Sequence, residues 1–370
     1  MPGQWSRARS LGAALFAGSL SLLITSHSAH AADTPTKRPR PIAKEISRFT
    51  EEEDVSGLTF SPDIHDIAVS AFVTLNVHVW AWQGRPQIVR TLLKPHGTAD
   101  YLSGDGLRYS PDGKLLAIVH KLARDADGNG VVSIFDSATG DLVHSIAEPL
   151  GGGDRSRIEF SPDGQKLLRL YSHSSKNRDQ FIVHRVYTWE EEWGLNILPL
   201  SGMSLALNPR GDMAAIGGIT LGPGVVHDAR ILIIDLASRQ ITRTIDNAFP
   251  PENEVEQLAW SADGRRIAAS GIVGGSYSVP DAVRIFDVAT GAQIAGEPVN
   301  PAHGFGLRYT PDGRYLIECG IAQTVRIWDA QHKVLLQTIP AAHAYAIAVS
   351  RDGSYLAIAN GREVSIWYLM

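Results

Sequence analysis

Residues 306–339 read GLRYTPDGRYLIECGIAQTVRIWDAQHKVLLQTI and divide into four short strands. Gly306–Tyr309 is a first strand, Tyr315–Cys319 a second, Val325–Asp329 a third and Leu335–Ile339 a fourth. The first two are joined by Thr310-Pro311-Asp312-Gly313. Pro presets the turn's φ, Asp hydrogen-bonds its own backbone and Gly takes the positive-φ position, so the chain must reverse there. Apolar residues run through the inner two strands and alternate in the outer two, as expected of a sheet packed on both faces.

The same mark recurs along the chain, as FSPD at Phe60, YSPDG at Tyr109, FSPDG at Phe160, LNPRGD at Leu207, WSADG at Trp260, YTPDG at Tyr309 and VSRDG at Val349. Counted from the residue after the apolar one, the intervals are 49, 51, 47, 53, 49 and 40 residues. A period of that length with several strands in it predicts a radial array of small sheets instead of one core. Residues 106–146 repeat the order: Gly106–Tyr109, Leu115–His120, Val131–Asp136 and Leu142–Ile146. An Asp-x-Ala-Thr-Gly turn joins third to fourth strand at Asp136–Gly140 and at Asp287–Gly291.

The two ends of the chain supply a check. The seventh unit has strands at Ala344–Val349, Tyr355–Asn360 and Glu363–Trp367, and then the sequence stops without a fourth. Ahead of the first mark lies one strand-like segment, Ile42–Phe49. If it completes the last sheet, twenty-eight strands make seven four-stranded antiparallel blades and no edge stays open.

The first 31 residues follow a different pattern. Arg7 and Arg9 precede an apolar stretch, Leu11–Ile24, that is short for a membrane span, and Ala29-His30-Ala31 offers a small-x-small cleavage site. Met1–Ala31 therefore reads as a Sec-type signal peptide, which predicts a periplasmic or secreted protein with no membrane span after cleavage. Its removal takes away two arginines and no acids, making the net charge of −5 two units more negative. Residues 32–41, with three prolines in Pro35–Pro41, read as an extended basic tether, and 42–370 as the folded body. With 34 Lys+Arg against 39 Asp+Glu, no basic surface argues for nucleic acid. Cys319 is the single cysteine and lies in an apolar strand, a small core residue.

Residues 42–370 resemble a WD-repeat β-propeller. The resemblance is carried by Ile327-Trp328-Asp329, Ile134-Phe135-Asp136, Ile285-Phe286-Asp287, Ile234-Asp235 and Ile366-Trp367 at third-strand ends, with the Ser-Pro-Asp-Gly turns. His303-Gly304 and His343 stand where the family often has its Gly-His pair, while Ala322 and Gly361 replace the Asp of its buried polar network. The likeness implies a non-catalytic platform that binds another protein, and the signal style with the single unpaired cysteine points to the bacterial cell envelope. The loops between second and third strands, which in the family share one face, are long in four successive units: 121–130, 172–180, 218–229 and 271–281. Binding specificity usually resides in such loops. Lys121, Arg124, Lys176, Arg178, His227 and Tyr277 are the partner-contacting side chains they offer, and Trp189 and Trp193, flanking Glu190-Glu191-Glu192, are further aromatic anchors.

Catalytic patterns are absent: no His-Glu-x-x-His, no phosphate loop and no Gly-x-Ser-x-Gly. His78, His120 and His184 read as structural residues within strands. Two enzymatic alternatives come from other exported propellers. A lactonase-type hydrolase would need carboxylates converging on a metal at the channel mouth, for which Glu159 and Glu256 are available. A quinone-dependent dehydrogenase-like propeller shares the Asp-x-x-Thr-Gly turn. No cofactor is expected except calcium, because Asp125-Ala126-Asp127-Gly128-Asn129-Gly130-Val131-Val132-Ser133 matches nine positions of an EF-hand loop. Its ligands would be Asp125, Asp127, Asn129, the Val131 carbonyl and Ser133. Asp136 replaces the bidentate Glu at position twelve, so weak, structural binding is expected.

Overall fold

The computed structural model describes residues 41–72, 77–92, 102–121, 130–147, 156–171, 180–221, 227–251, 253–272, 283–294, 304–320 and 323–370. The predicted signal segment, residues 32–40 of the tether and much of the long loops lie outside them. Among the described residues there is no helix long and apolar enough to cross a membrane.

Seven small antiparallel sheets form a closed propeller. Blade 1 runs Val55–Phe60, Asp66–Ala71, Val77–Ala81 and Gln87–Leu92, and blades 2, 3, 4 and 6 repeat that order. Blade 5 shows three strands among the described residues, Glu254–Trp260, Arg266–Ile272 and Arg284–Asp287, with an isolated bridge from Phe286 to Gln293. Blade 7 joins Ala344–Val349, Tyr355–Asn360 and Glu363–Leu369 to the N-terminal strand Ala43–Thr50. That strand pairs antiparallel with the last one, from Ala43 opposite Leu369 to Thr50 opposite Glu363. Hydrogen bonding between the two chain ends thus closes the ring and leaves no sheet edge exposed at the seam.

Six of the seven turn marks are built the same way, and the blade 4 turn uses the Asn208 amide, which donates to Asp212 at 2.5 Å. A side-chain hydroxyl at Ser61, Ser110, Ser161, Ser261, Thr310 and Ser350 donates to the Asp two residues on at 2.5–2.6 Å. That bond holds the carboxyls of Asp63, Asp163 and Asp263 below the usual carboxylate range. Glycine supplies the left-handed residue in six turns, with φ from +68° at Gly264 to +76° at Gly353. In blade 1 the place belongs to Ile64 at φ +66°, a β-branched residue in a region such residues avoid. Its carbonyl accepts the Trp82 indole N–H at 3.0 Å, which helps to hold it there.

The apolar core is divided among the seven interfaces between blades. Second strands are buried almost throughout, as in Lys166–Tyr171 and Tyr315–Gly320, whereas fourth strands such as Leu142–Ala147 face solvent. Leu115, Ile134, Ile158 and Trp189 pack between blades 2 and 3, and Leu170, Trp193, Leu205 and Ile216 between blades 3 and 4. At the seam Phe49, Phe60, Trp80 and Trp82 meet Ala357, Val364 and Ile366. Cys319 is fully buried in the cluster between blades 6 and 7.

Candidate interaction surfaces

The turns gather on one face of the propeller and the starts of the first strands lie on the other. First strands bulge near their starts: the pairing slips at Val55/Gly57, Gly202/Ser204, Val255/Gln257, Gly304/Gly306 and Ala344/Ala346. A bulge re-aims the extra side chain. In blades 6 and 7 the residues so placed are Phe305 and Tyr345, whose rings lie 5.4 Å apart. Phe72, following the second strand of blade 1, meets Tyr345 edge-on at 5.4 Å, and the His343 ring stacks on it at 6.3 Å. All but the exposed His343 are partly buried, so the start-side face carries an aromatic cluster.

On the turn side, the residue two before each turn hydroxyl or amide points to the central channel. These are Thr59, Arg108, Glu159 and Arg308, with alanine at 206, 259 and 348. Arg108 grips Glu159 through Nε at 2.9 Å and Nη2 at 2.8 Å. Two connected cavities, of about 200 and 430 Å³, share Arg108, Glu159, Arg308 and Tyr309 as walls. Burial pushes the Tyr309 hydroxyl up to about 12 and raises Tyr109 in the same direction, so both remain protonated donors at neutral pH. Glu256 is not among the residues lining either cavity, and Glu159 is bridged by a guanidinium. The pair of carboxylates that a metal-dependent hydrolase would need is therefore not assembled at this mouth.

The three strand histidines are engaged within the fold. His78 Nδ1 lies 2.7 Å from Glu51, His120 Nε2 lies 2.9 Å from Ser133 Oγ, and His184 Nδ1 donates to the Trp189 carbonyl at 3.2 Å. Burial, and then the Arg169 guanidinium, push the His184 imidazole below its usual range.

One sequence expectation needs correction. Trp189 and Trp193 are not exposed anchors, since each is only 9% accessible. Residues Tyr187 and Trp189 take positive φ, and Trp189 stacks on His144 of blade 2 at 5.5 Å. Trp193 sits edge-on to Phe181 at 5.5 Å under the Arg239 guanidinium. Ser133, assigned to the calcium loop, is fully buried with its hydroxyl bonded to His120, and Val131 is buried in the same strand. Asp125, Asp127 and Asn129 lie outside the described residues, as do Arg124, Lys176, Arg178, Tyr277 and the Lys121 side chain. His227 is described and partly buried. Among the described residues no group of three or more His, Cys, Asp or Glu converges as metal ligands. Sequence reasoning missed the aromatic cluster and the channel arginines, although both stand at fixed offsets from the turn marks.

Comparison with known proteins agrees with this architecture. The chain is 24% identical over 235 residues to Actin-interacting protein 1 of Drosophila melanogaster, across 62% of this chain and 34% of that protein. It is 35% identical over 71 residues to WD repeat-containing protein VIP3 of Arabidopsis thaliana, across 19% of this chain and 22% of the relative. The chain is similar to WD-repeat propellers. No family model matches it. The matched regions span about a third or less of each relative, so the likeness reaches the repeat architecture and not a whole relative.

Proposed function

We propose that this protein is a non-catalytic protein-binding scaffold, exported to the bacterial periplasm or beyond, that docks another envelope protein on its start-side face. The observation supporting the reading is the aromatic cluster of Phe72, Phe305, Tyr345 and His343, two of whose members, Phe305 and Tyr345, stand at bulges of their first strands. Partly exposed aromatics at the centre of a rigid face are the residue type that anchors interfaces. The strand ends joined by the long second-to-third-strand loops lie on the same side, and those loops would supply specificity. One relative is named for interacting with actin, and what carries over to this chain is the use of a propeller as a docking platform, not that ligand. The location rests on the signal-like first 31 residues.

The test compares immobilised wild type with a Phe305→Ala/Tyr345→Ala variant, using native envelope extract. Truncating two anchors should cost at least about 2 kcal/mol of binding, roughly thirtyfold, so a partner held by wild type should be lost by the variant while its melting stays cooperative. Equal capture by both proteins would remove the aromatic cluster from the interface. Turnover of lactones by the purified protein, with no captured partner, would favour the hydrolase reading.

A further inference from the structure

The aromatic cluster has a carboxylate at its edge. An acidic run, Glu51, Glu52, Glu53 and Asp54, links the ring-closing strand to blade 1 on the start side. Glu51 turns inward to Trp80 and His78, whereas Glu52 and Asp54 are exposed. Backbone bonds seat Asp54 beside the rings. Its carbonyl accepts the Phe72 N–H at 3.0 Å, while Val55 donates to the Gly361 carbonyl at 2.9 Å and Gly361 to that of His343 at 3.0 Å. A Cβ placed on Gly361 would lie 3.6 Å from Asp54 Oδ1 and 4.0 Å from His343 Cβ, so the carboxylate and the imidazole both border this glycine. His343 in turn stacks on Tyr345.

The Asp54 side chain is weakly committed within the fold. Its cation partner is Arg362 at 4.0 Å, with the two side chains 57% and 65% accessible, and a surface pair of that kind contributes little. The carboxylate can therefore turn to a second cation at small cost. The rings beside it favour the same charge, because an aromatic face carries a negative quadrupole that attracts a cation held within about 6 Å of the ring. A guanidinium suits both neighbours at once: its plane stacks on a ring while its N–H groups fork a carboxylate. The charge of the whole molecule acts in the same direction, since a chain of net −5 draws in a basic partner.

We propose that Asp54 and the Tyr345 ring form the anchor point for an arginine in a basic segment of the partner protein. The guanidinium lies against Tyr345 and pairs with Asp54, and Glu52 attracts the basic residues that flank it. The proposal rests on the protein-binding reading of this face and adds to it the chemistry of the partner.

The probe is the peptide acetyl-Gly-Arg-Arg-Gly-amide, titrated calorimetrically into the purified protein at pH 8 and low salt. Saturable binding that weakens as sodium chloride is added is expected. Asp54→Asn should weaken it about tenfold and Tyr345→Leu about fivefold, whereas Glu190→Gln, which removes an exposed carboxylate from blade 3, should leave it unchanged. Asp54→Asn is a polar change at an exposed position and serves if Tyr345→Leu does not fold. The lysine counterpart of the peptide should bind several times more weakly, because an ammonium neither stacks nor forks. No saturable heat with the arginine peptide at millimolar concentration overturns the proposal, as does a lysine peptide that binds equally well. Equal losses in Asp54→Asn and Glu190→Gln overturn it too, since they would mean bulk attraction, and spermidine binding as tightly as the peptide would assign the site to a diffusible amine instead. Capture of an envelope protein that is lost in Phe305→Ala/Tyr345→Ala but kept in full by Asp54→Asn would leave the docking face standing and remove the arginine contact.

Discussion

Trp80 in blade 1 and Trp328 in blade 6 hold matching places in their third strands, and each donates its indole N–H to a buried glutamate. The acceptor for Trp80 is Glu51, at 2.5 Å, which arrives from the link leading out of the ring-closing strand and also meets His78 at 2.7 Å. The acceptor for Trp328 is Glu318, at 3.2 Å, from the second strand of the same blade, with Arg326 at 3.4 Å. His78 and Arg326 stand two residues before their tryptophans, so the two sites use one plan with different results. Glu318 is 3% accessible and its partners are long, so burial pushes its carboxyl up to about 7 even though Arg326 and Trp328 oppose the shift. At Glu318, burial thus outweighs an opposite charge whose hydrogen bond to the carboxylate is long.

The widest gap between the two regions should appear when the ring-closing strand is removed. Deleting Ala43–Thr50 strips Phe49 from its 4.3 Å stack on Trp80 and leaves Glu363–Leu369 unpaired on one edge. The protein should lose its cooperative melting transition and aggregate, whereas deleting residues 32–39 should change little. If calorimetry finds the two truncations alike, the seam is not what holds the ring.

Next in size is the titration of Glu318, read by denaturant unfolding across pH. Its folded-state value, about 7, lies above the 4.5 of an ordinary glutamate. Its contribution is therefore full below about pH 4.5 and is lost as pH rises through about 7, a change on the order of 3 kcal/mol. Glu318→Gln should lack this decline, so the variant should gain on wild type as pH rises. Glu51→Gln should instead destabilise by roughly 1–3 kcal/mol, through the weakened bonds to Trp80 and His78. Parallel pH profiles for wild type and Glu318→Gln would erase the contrast between the two sites.

The smallest effect belongs to the turn between the first two strands of blade 1. Ile64→Asn puts a residue that tolerates the left-handed region where a β-branched one now stands, and should raise stability by about 1 kcal/mol. A lower melting temperature would mean that the packing of Ile64 at the seam outweighs its strain.

Most of the architecture is legible in the sequence because turn chemistry is local. Six of the seven marks contain their own φ > 0 glycine, and the strands assigned around Tyr109 and Tyr309 end within one or two residues of those expected, apart from the longer start of Leu102–Tyr109. Ring closure is legible because Ile42–Phe49 was the segment left over for a blade one strand short. What escapes is whatever depends on approach between blades. Nothing local to Glu51 says that it meets the third strand of blade 1, and nothing in Thr188-Trp189-Glu190 says that a positive φ turns the ring beneath its neighbour. The channel arginines are an intermediate case: their offset from each turn is constant, but charge at that offset has meaning only once the strands are known to circle an axis.

Ring closure also has a meaning in time. Ala43–Thr50 is synthesised before blades 1 to 6, but its partner, Glu363–Leu369, is synthesised after them. Phe49 therefore has no completed sheet to join until the chain is nearly whole, and long-range pairing of this kind forms slowly. Blades 1 to 6 can assemble in the order in which they are made, whereas the seam forms only after all of them have been made. A chain cut short at any point before Glu363 carries an apolar strand with nothing to pair, and so marks itself as incomplete.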